Sequence, residues 1–128
     1  MFVCGLLPGP CPFIYNSMGT HLFVYGLFRD SARPLLGNFV FVGRDSVSGQ
    51  IFRVNDSYPG FVRGSDGHVW GDVYLVDESV LPALDEFEGG EFERRRIVTA
   101  LGHECWIYEF VDEVGGARRI RGGDWMLR

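Results

Sequence analysis

From Asp77 to Gly90 the sequence admits one compact local structure, and that structure fixes where its carboxylates stand. Val80, Leu84 and Phe87 recur at spacings of four and three, one face of a 3.6-residue period. Asp77 and Ser79 offer side-chain oxygens suited to a helix start. Pro82 fits only in the first turn, because deeper in a helix it would remove a backbone donor and clash with the carbonyl four residues back. The pattern predicts a helix that begins between Glu78 and Leu81 and stops at Gly89.

That geometry puts Glu88 in the last turn, beside unpaired carbonyls and the negative end of the helix dipole, with Asp85 one turn behind. Both influences favour a protonated carboxyl, and partial burial pushes the same way. A raised pKa suits a group that must take a proton and then return it. Acidic residues on a short helix also form ordinary solvated faces, and the helix alone leaves both readings open.

The remaining elements read as short strands. His21-Leu22-Phe23-Val24-Tyr25 is a compact apolar run that ends at Gly26, as a buried strand would. Phe39–Val42 and Ser46–Val54 are two further candidates, followed by turn residues from Asn55 to Gly60. Phe61–Arg63, the glycine-rich Gly64-Ser65-Asp66-Gly67 and the alternating His68–Val76 together predict a hairpin. After the helix, Phe92–Leu101, Cys105–Val111 and Arg118–Ile120 supply three more strands. One convincing helix among short strands, with no βαβ rhythm, indicates an α+β domain on a mixed or antiparallel sheet that curls toward a small β-barrel with short flanking helices.

Composition narrows the function. The 128 residues are 46% hydrophobic and 23% charged, values of an ordinary globular domain. A formal net charge of -5 argues against a nucleic-acid partner. The apolar stretch within Met1–Pro12 has no basic lead and is broken by Pro8, Pro10 and Pro12, well short of the ~20 residues of a membrane span. Residues 1–20 are expected to be an N-terminal extension and residues 21–128 a single domain. Cys4, Cys11 and Cys105 show neither a disulfide framework nor metal-ligand spacing, which suits a reducing, cytoplasmic setting. His103-Glu104-Cys105-Trp106 opens like a zinc-protease motif, but Ile107 stands where the second histidine is needed. Nothing in the patterning speaks to oligomeric state.

A second informative place is Tyr25-Gly26-Leu27-Phe28. A glycine at the end of a buried strand lets successive backbone N–H groups turn outward, and oriented amides hold a carboxylate without a charged side chain. A glycine after a strand is also an ordinary turn.

The order of several motifs joins the two places. Phe23-Val24-Tyr25-Gly26 with Arg29; Phe41-Val42-Gly43 leading to Val47-Ser48-Gly49-Gln50-Ile51-Phe52; Tyr58-Pro59-Gly60; Val69-Trp70-Gly71-Asp72-Val73-Tyr74; Leu84-Asp85-Glu86-Phe87-Glu88-Gly89; Phe92-Glu93-Arg94; and Gly123-Asp124-Trp125 occur in sequence. Over roughly residues 21 to 128 this order resembles the gamma-glutamylcyclotransferase-like family, including its plant avirulence-induced-gene-like branch.

The resemblance implies a small β-barrel with flanking helices and an enzyme that converts a γ-glutamyl amine or γ-glutamyl amino acid to 5-oxoproline and a free amine. It implies no metal and no cofactor. It places the acid-base glutamate at Glu88 and the loop that holds the substrate's α-carboxylate at Tyr25, Gly26, Leu27 and Phe28, with Tyr58 near the pocket mouth. Two positions depart from the family's pattern. Leu27 stands where the family usually carries Ser or Thr, and Phe92 where it often has Tyr. The missing hydroxyl keeps a second reading open, a noncatalytic small-molecule-binding module on the same fold. Trp70, Trp106, Tyr74 and Tyr108 read as core or barrel-lining aromatics, and Arg94 as an anchor for the strand after the helix.

Overall fold

A computed structural model describes residues 19–26, 39–54 and 58–127. The expected N-terminal extension through residue 18, and Leu27 and Phe28 of the expected carboxylate loop, lie outside the described residues. Among the described residues, six strands and one α-helix follow in the order β1 (Gly19–Val24), β2 (Val40–Val54), β3 (Tyr58–Asp77), α1 (Leu81–Glu88), β4 (Phe92–Val98), β5 (Glu104–Phe110) and β6 (Arg118–Arg119). Short 3-10 turns at Glu78–Val80 and Trp125–Leu127 flank them.

All six strands join one sheet in the order β4-β5-β1-β3-β2-β6. Strand β1 runs antiparallel to β3 and parallel to β5, and β5 meets β3 again where Phe61 faces Glu109. This extra pairing beyond the end of β1 curls the sheet into a half-barrel, in keeping with the expected α+β class.

The two longest strands correct the sequence reading. Phe39–Val42 and Ser46–Val54 are parts of the single strand β2, and the expected hairpin at Gly64–Gly67 is absent. Phe61–Arg63 and His68–Val76 continue along β3 and pair with β2 rather than with each other. The register passes from Gly49↔Arg63 to Ser48↔His68, so the four residues between them bulge out as an exposed excursion within one strand. The chain reverses between Val54 and Tyr58, which leaves Tyr58-Pro59-Gly60 as the start of β3 and not a turn.

The second half of β1, Leu22–Val24, is buried on both faces, which explains the apolar run there. Leu22 and Val24 pack with Leu81 and Leu84 of α1 and with Tyr74, Val76 and Tyr108, whereas Phe23 and Tyr25 join Val47, Ile51, Phe61 and Trp125. Fully burying a residue such as Leu84 stabilises the fold by about 1.5–3 kcal/mol, so these contacts fix α1 against the sheet. Asp77 caps the turn that leads into the helix by accepting from the Ser79 N–H at 2.9 Å, and Pro82 falls in the first helical turn as predicted. Gly89 ends the helix at φ +83°, where any side chain would be strained.

The aromatic readings divide. Tyr74 and Tyr108 are core residues. Trp106 is half-buried between the guanidinium groups of Arg94 and Arg96, 4.3 and 4.8 Å from its ring centroid. Trp70 lies on the outer face of β3, 39% exposed, with Arg44 5.2 Å from its centroid, and so is not a core residue. His103 accounts for its place in the fold through a 2.8 Å contact from Nδ1 to the buried Asp45.

Candidate active site

The end of β1, the start of β3 and the end of α1 converge on a cleft of about 320 Å³. Its walls are mostly apolar: Leu22, Phe23, Val24, Pro59, Phe87 and Phe92. Tyr25 and Gly26, Tyr58, Tyr108, and the carboxylates Glu88 and Glu91 complete it. Of the residues singled out from sequence, Glu88, Tyr25, Gly26 and Tyr58 therefore share one cavity.

Glu88 occupies the last helical position, half-buried at this cleft. Burial alone pushes its carboxyl up to about 7, because desolvation disfavours the charged form. Asp85, expected from the sequence to contribute by repulsion, does not. Its carboxylate is clamped by Arg94, whose Nε and Nη2 donate at 2.8 and 3.1 Å, and by the Tyr108 hydroxyl at 2.7 Å. The Arg94 guanidinium holds Asp85 below the usual carboxylate value. Arg94 thus anchors β4 to α1, as the sequence suggested.

The Tyr25 side chain lies outside the proposed carboxylate-binding role. Its hydroxyl donates to the Tyr108 carbonyl at 2.7 Å and accepts from the Phe61 N–H at 3.0 Å, tying the end of β1 to β5 and β3. Burial raises both the Tyr25 and Tyr108 phenols above their ordinary range, and the Glu88 charge adds to each shift. With both phenols held protonated and Asp85 paired, Glu88 is a cleft carboxyl able to exchange a proton near neutral pH.

Gly26 is required by close approach rather than by its backbone angles. A Cβ there would lie 2.6 Å from Cγ of Pro59, so the strand end and the first residues of β3 meet only around a glycine. This fixes the Gly26 backbone at the rim, while the Pro59 ring forms the adjoining wall.

Three participants are missed by sequence reasoning. Phe87, expected on the packed stripe of α1, is 60% exposed and contributes to the cleft wall. Tyr108, read as a core or barrel-lining aromatic with no part in the site, is core and cleft lining together. Glu91 enters from the connection between α1 and β4 and accepts a 2.5 Å hydrogen bond from the Tyr58 hydroxyl. The tight Gly89-Gly90 exit is the signal that could have found it, since a carboxylate three residues after Glu88 on so short a return stays beside the same cavity.

Comparison with known proteins speaks to the family and the fold. Residues 22–127 match the family model described as gamma-glutamyl cyclotransferase, AIG2-like. The gamma-glutamylcyclotransferase family protein YtfP of Escherichia coli K12 is 34% identical over 111 residues, covering 84% of this chain and 96% of that protein. Its solution structure superposes with a TM-score of 0.68 over 83% of this chain and 96% of that one. A putative gamma-glutamylcyclotransferase of Vibrio cholerae is 34% identical over 116 residues, with 84% and 96% covered. A crystal structure of a uropathogenic Escherichia coli protein, 24% identical, has the same fold with a TM-score of 0.75 over 85% of this chain and 94% of that chain. The chain belongs to the gamma-glutamyl cyclotransferase, AIG2-like family and is a gamma-glutamylcyclotransferase-like enzyme.

Proposed function

We propose that the protein converts a γ-glutamyl amine or γ-glutamyl amino acid to 5-oxoproline and a free amine, with Glu88 as the group that moves the proton. The observation that carries this reading is a carboxyl at the edge of a small, largely apolar cleft whose pKa burial sets at about 7. A general base works best when its pKa lies near the operating pH.

The steps balance with one carboxylate. Ionised Glu88 takes a proton from the substrate's α-ammonium, and the freed nitrogen attacks the γ-carbonyl carbon to close a five-membered ring. The tetrahedral intermediate collapses as Glu88 returns that proton to the departing nitrogen, so the original amide C–N bond breaks; the ring nitrogen then gives up its remaining extra proton, which ends on the released amine, leaving a neutral lactam and an ammonium. Backbone N–H groups of the loop from Tyr25 to Phe28 hold the α-carboxylate, and Tyr58 contributes to the wall of the cleft. Proton transfer of this kind contributes ~10²–10⁴-fold, and clamping the flexible glutamyl chain in a ring-closing geometry adds a proximity effect of similar or larger size.

The test is incubation with a panel of γ-glutamyl amines and γ-glutamyl amino acids, with 5-oxoproline assayed by mass spectrometry. Time-dependent 5-oxoproline from at least one class is the expected result. Binding of 5-oxoproline without turnover of any member would overturn the enzymatic reading and leave the binding module.

A further inference from the structure

The cleft holds a second carboxylate that the proton transfer does not use. Glu91 is half-buried, and its backbone is fixed because its carbonyl accepts from the Val111 N–H at 2.9 Å. Its side chain is aimed by the Tyr58 hydroxyl at 2.5 Å, and the Tyr58 ring lies against Phe92 with centroids 6.1 Å apart. Glu88 and Glu91 both line the cavity, Glu88 from the last turn of α1 and Glu91 from the connection that follows it, where it meets Tyr58. Among the described residues that line the cavity, none is basic.

We propose that Glu91, oriented by Tyr58, determines specificity for the leaving amine by favouring one that carries a second positive charge and disfavouring one that carries a carboxylate. The inference rests on the cyclotransferase reading. Once the γ-glutamyl group sits with its reacting nitrogens at Glu88, the leaving group shares the cavity with Glu91, Tyr58 and Phe92. A methylene chain suits the rings and aliphatic side chains there, and an ammonium at its far end meets the Glu91 carboxylate and the aromatic faces. A carboxylate at the same place meets a like charge in a partly desolvated cleft, where repulsion is stronger than in bulk water. The chemical class selected is a γ-glutamyl derivative of an aliphatic diamine.

Three γ-glutamyl amides of similar length test this, with putrescine, pentylamine and γ-aminobutyrate as leaving amines. The expected order of kcat/KM is putrescine, then pentylamine, then γ-aminobutyrate, with at least ~10-fold between the ends, the factor that about 1.4 kcal/mol supplies. Glu91→Gln should compress that ratio by about tenfold, and Glu91→Lys should reverse it while raising kcat/KM for the γ-aminobutyrate compound in absolute terms. A merely structural role for Glu91 would lower all three together. Turnover by the wild-type protein with no charge preference, or a preference unchanged in both variants, would overturn this inference and leave the cyclotransferase reading standing. Turnover of none of the three or of any other γ-glutamyl compound would overturn both.

Discussion

Asp85 and Glu88 stand one turn apart on α1, and their surroundings drive them in opposite directions. Asp85 points to the side of the helix that meets β4 and β5, where Arg94 and the Tyr108 hydroxyl surround it with donors and hold its proton affinity down. Glu88 points to the cleft, where burial removes water without supplying a cation and raises its proton affinity to about 7. Sequence spacing alone makes the two carboxylates look like mutual neighbours. The fold separates them into a permanently charged group that holds two elements together and a group poised to change charge.

Breaking the cleft side has the largest expected effect. Glu88→Gln keeps the size and the hydrogen-bonding capacity but cannot accept the substrate's proton, so turnover should fall by at least ~10²-fold in a folded protein. Glu86→Gln is the control, because Glu86 is exposed and about 160° away around the helix by the 100° step. Comparison of 5-oxoproline formation by the two variants reads this directly, and equal loss in both would contradict the assignment.

Gly26→Val should be the next largest. Its Cβ would fall within 2.6 Å of Pro59, which must move the rim of the cleft. Calorimetric affinity for 5-oxoproline should drop about tenfold or more, equivalent to ~1.4 kcal/mol. Unchanged affinity would remove Gly26 from the binding loop.

The paired side predicts a change in stability. Asp85→Asn retains the shape but loses the charge that draws Arg94 and Tyr108, and denaturant unfolding at neutral pH should show a loss of about 1–2 kcal/mol, limited because the pair is partly exposed to solvent. The sign with pH follows from the lowered folded value of Asp85. Its contribution is present above its ordinary value of 3.8 and is lost as pH falls through its folded value, so wild type and Asp85→Asn should converge in acid. A difference that persists undiminished in acid would contradict the ion-pair account. Glu88 has the opposite sign: with its folded value raised from 4.5 to about 7, its contribution is present below 4.5 and is lost as pH rises through 7.

Much of this contrast was legible in the sequence, for local reasons. Pro82, the Val80 and Leu84 spacing and Gly89 specify the helix almost by themselves, and with it the position of Glu88. The apolar run before Gly26 likewise specifies a buried strand and its end. What remained hidden depends on contacts between distant segments. Nothing near Asp85 in the chain reveals that Tyr108, 23 residues away, donates to it. The turn-like sequence Gly64-Ser65-Asp66-Gly67 suggested a reversal because glycine-rich stretches favour one, but pairing of both its flanks with β2 keeps β3 running in one direction. Tyr58-Pro59-Gly60 looked like a turn for the same reason, and its strand position is what brings Tyr58 against Glu91 and Pro59 against Gly26. The cleft is thus made by long-range register, which spacing within one segment does not encode.

The central claim is that one carboxylate, tuned by burial, carries the proton. The pH dependence of kcat/KM for a γ-glutamyl substrate tests it most directly, because that profile reports the free enzyme's essential groups. The account predicts an acid limb with its midpoint near 7, where Glu88 ionises. That limb should be absent from the residual activity of Glu88→Gln and unmoved in Asp85→Asn. A limb near 4.5, or one near 7 that survives in Glu88→Gln, would contradict it.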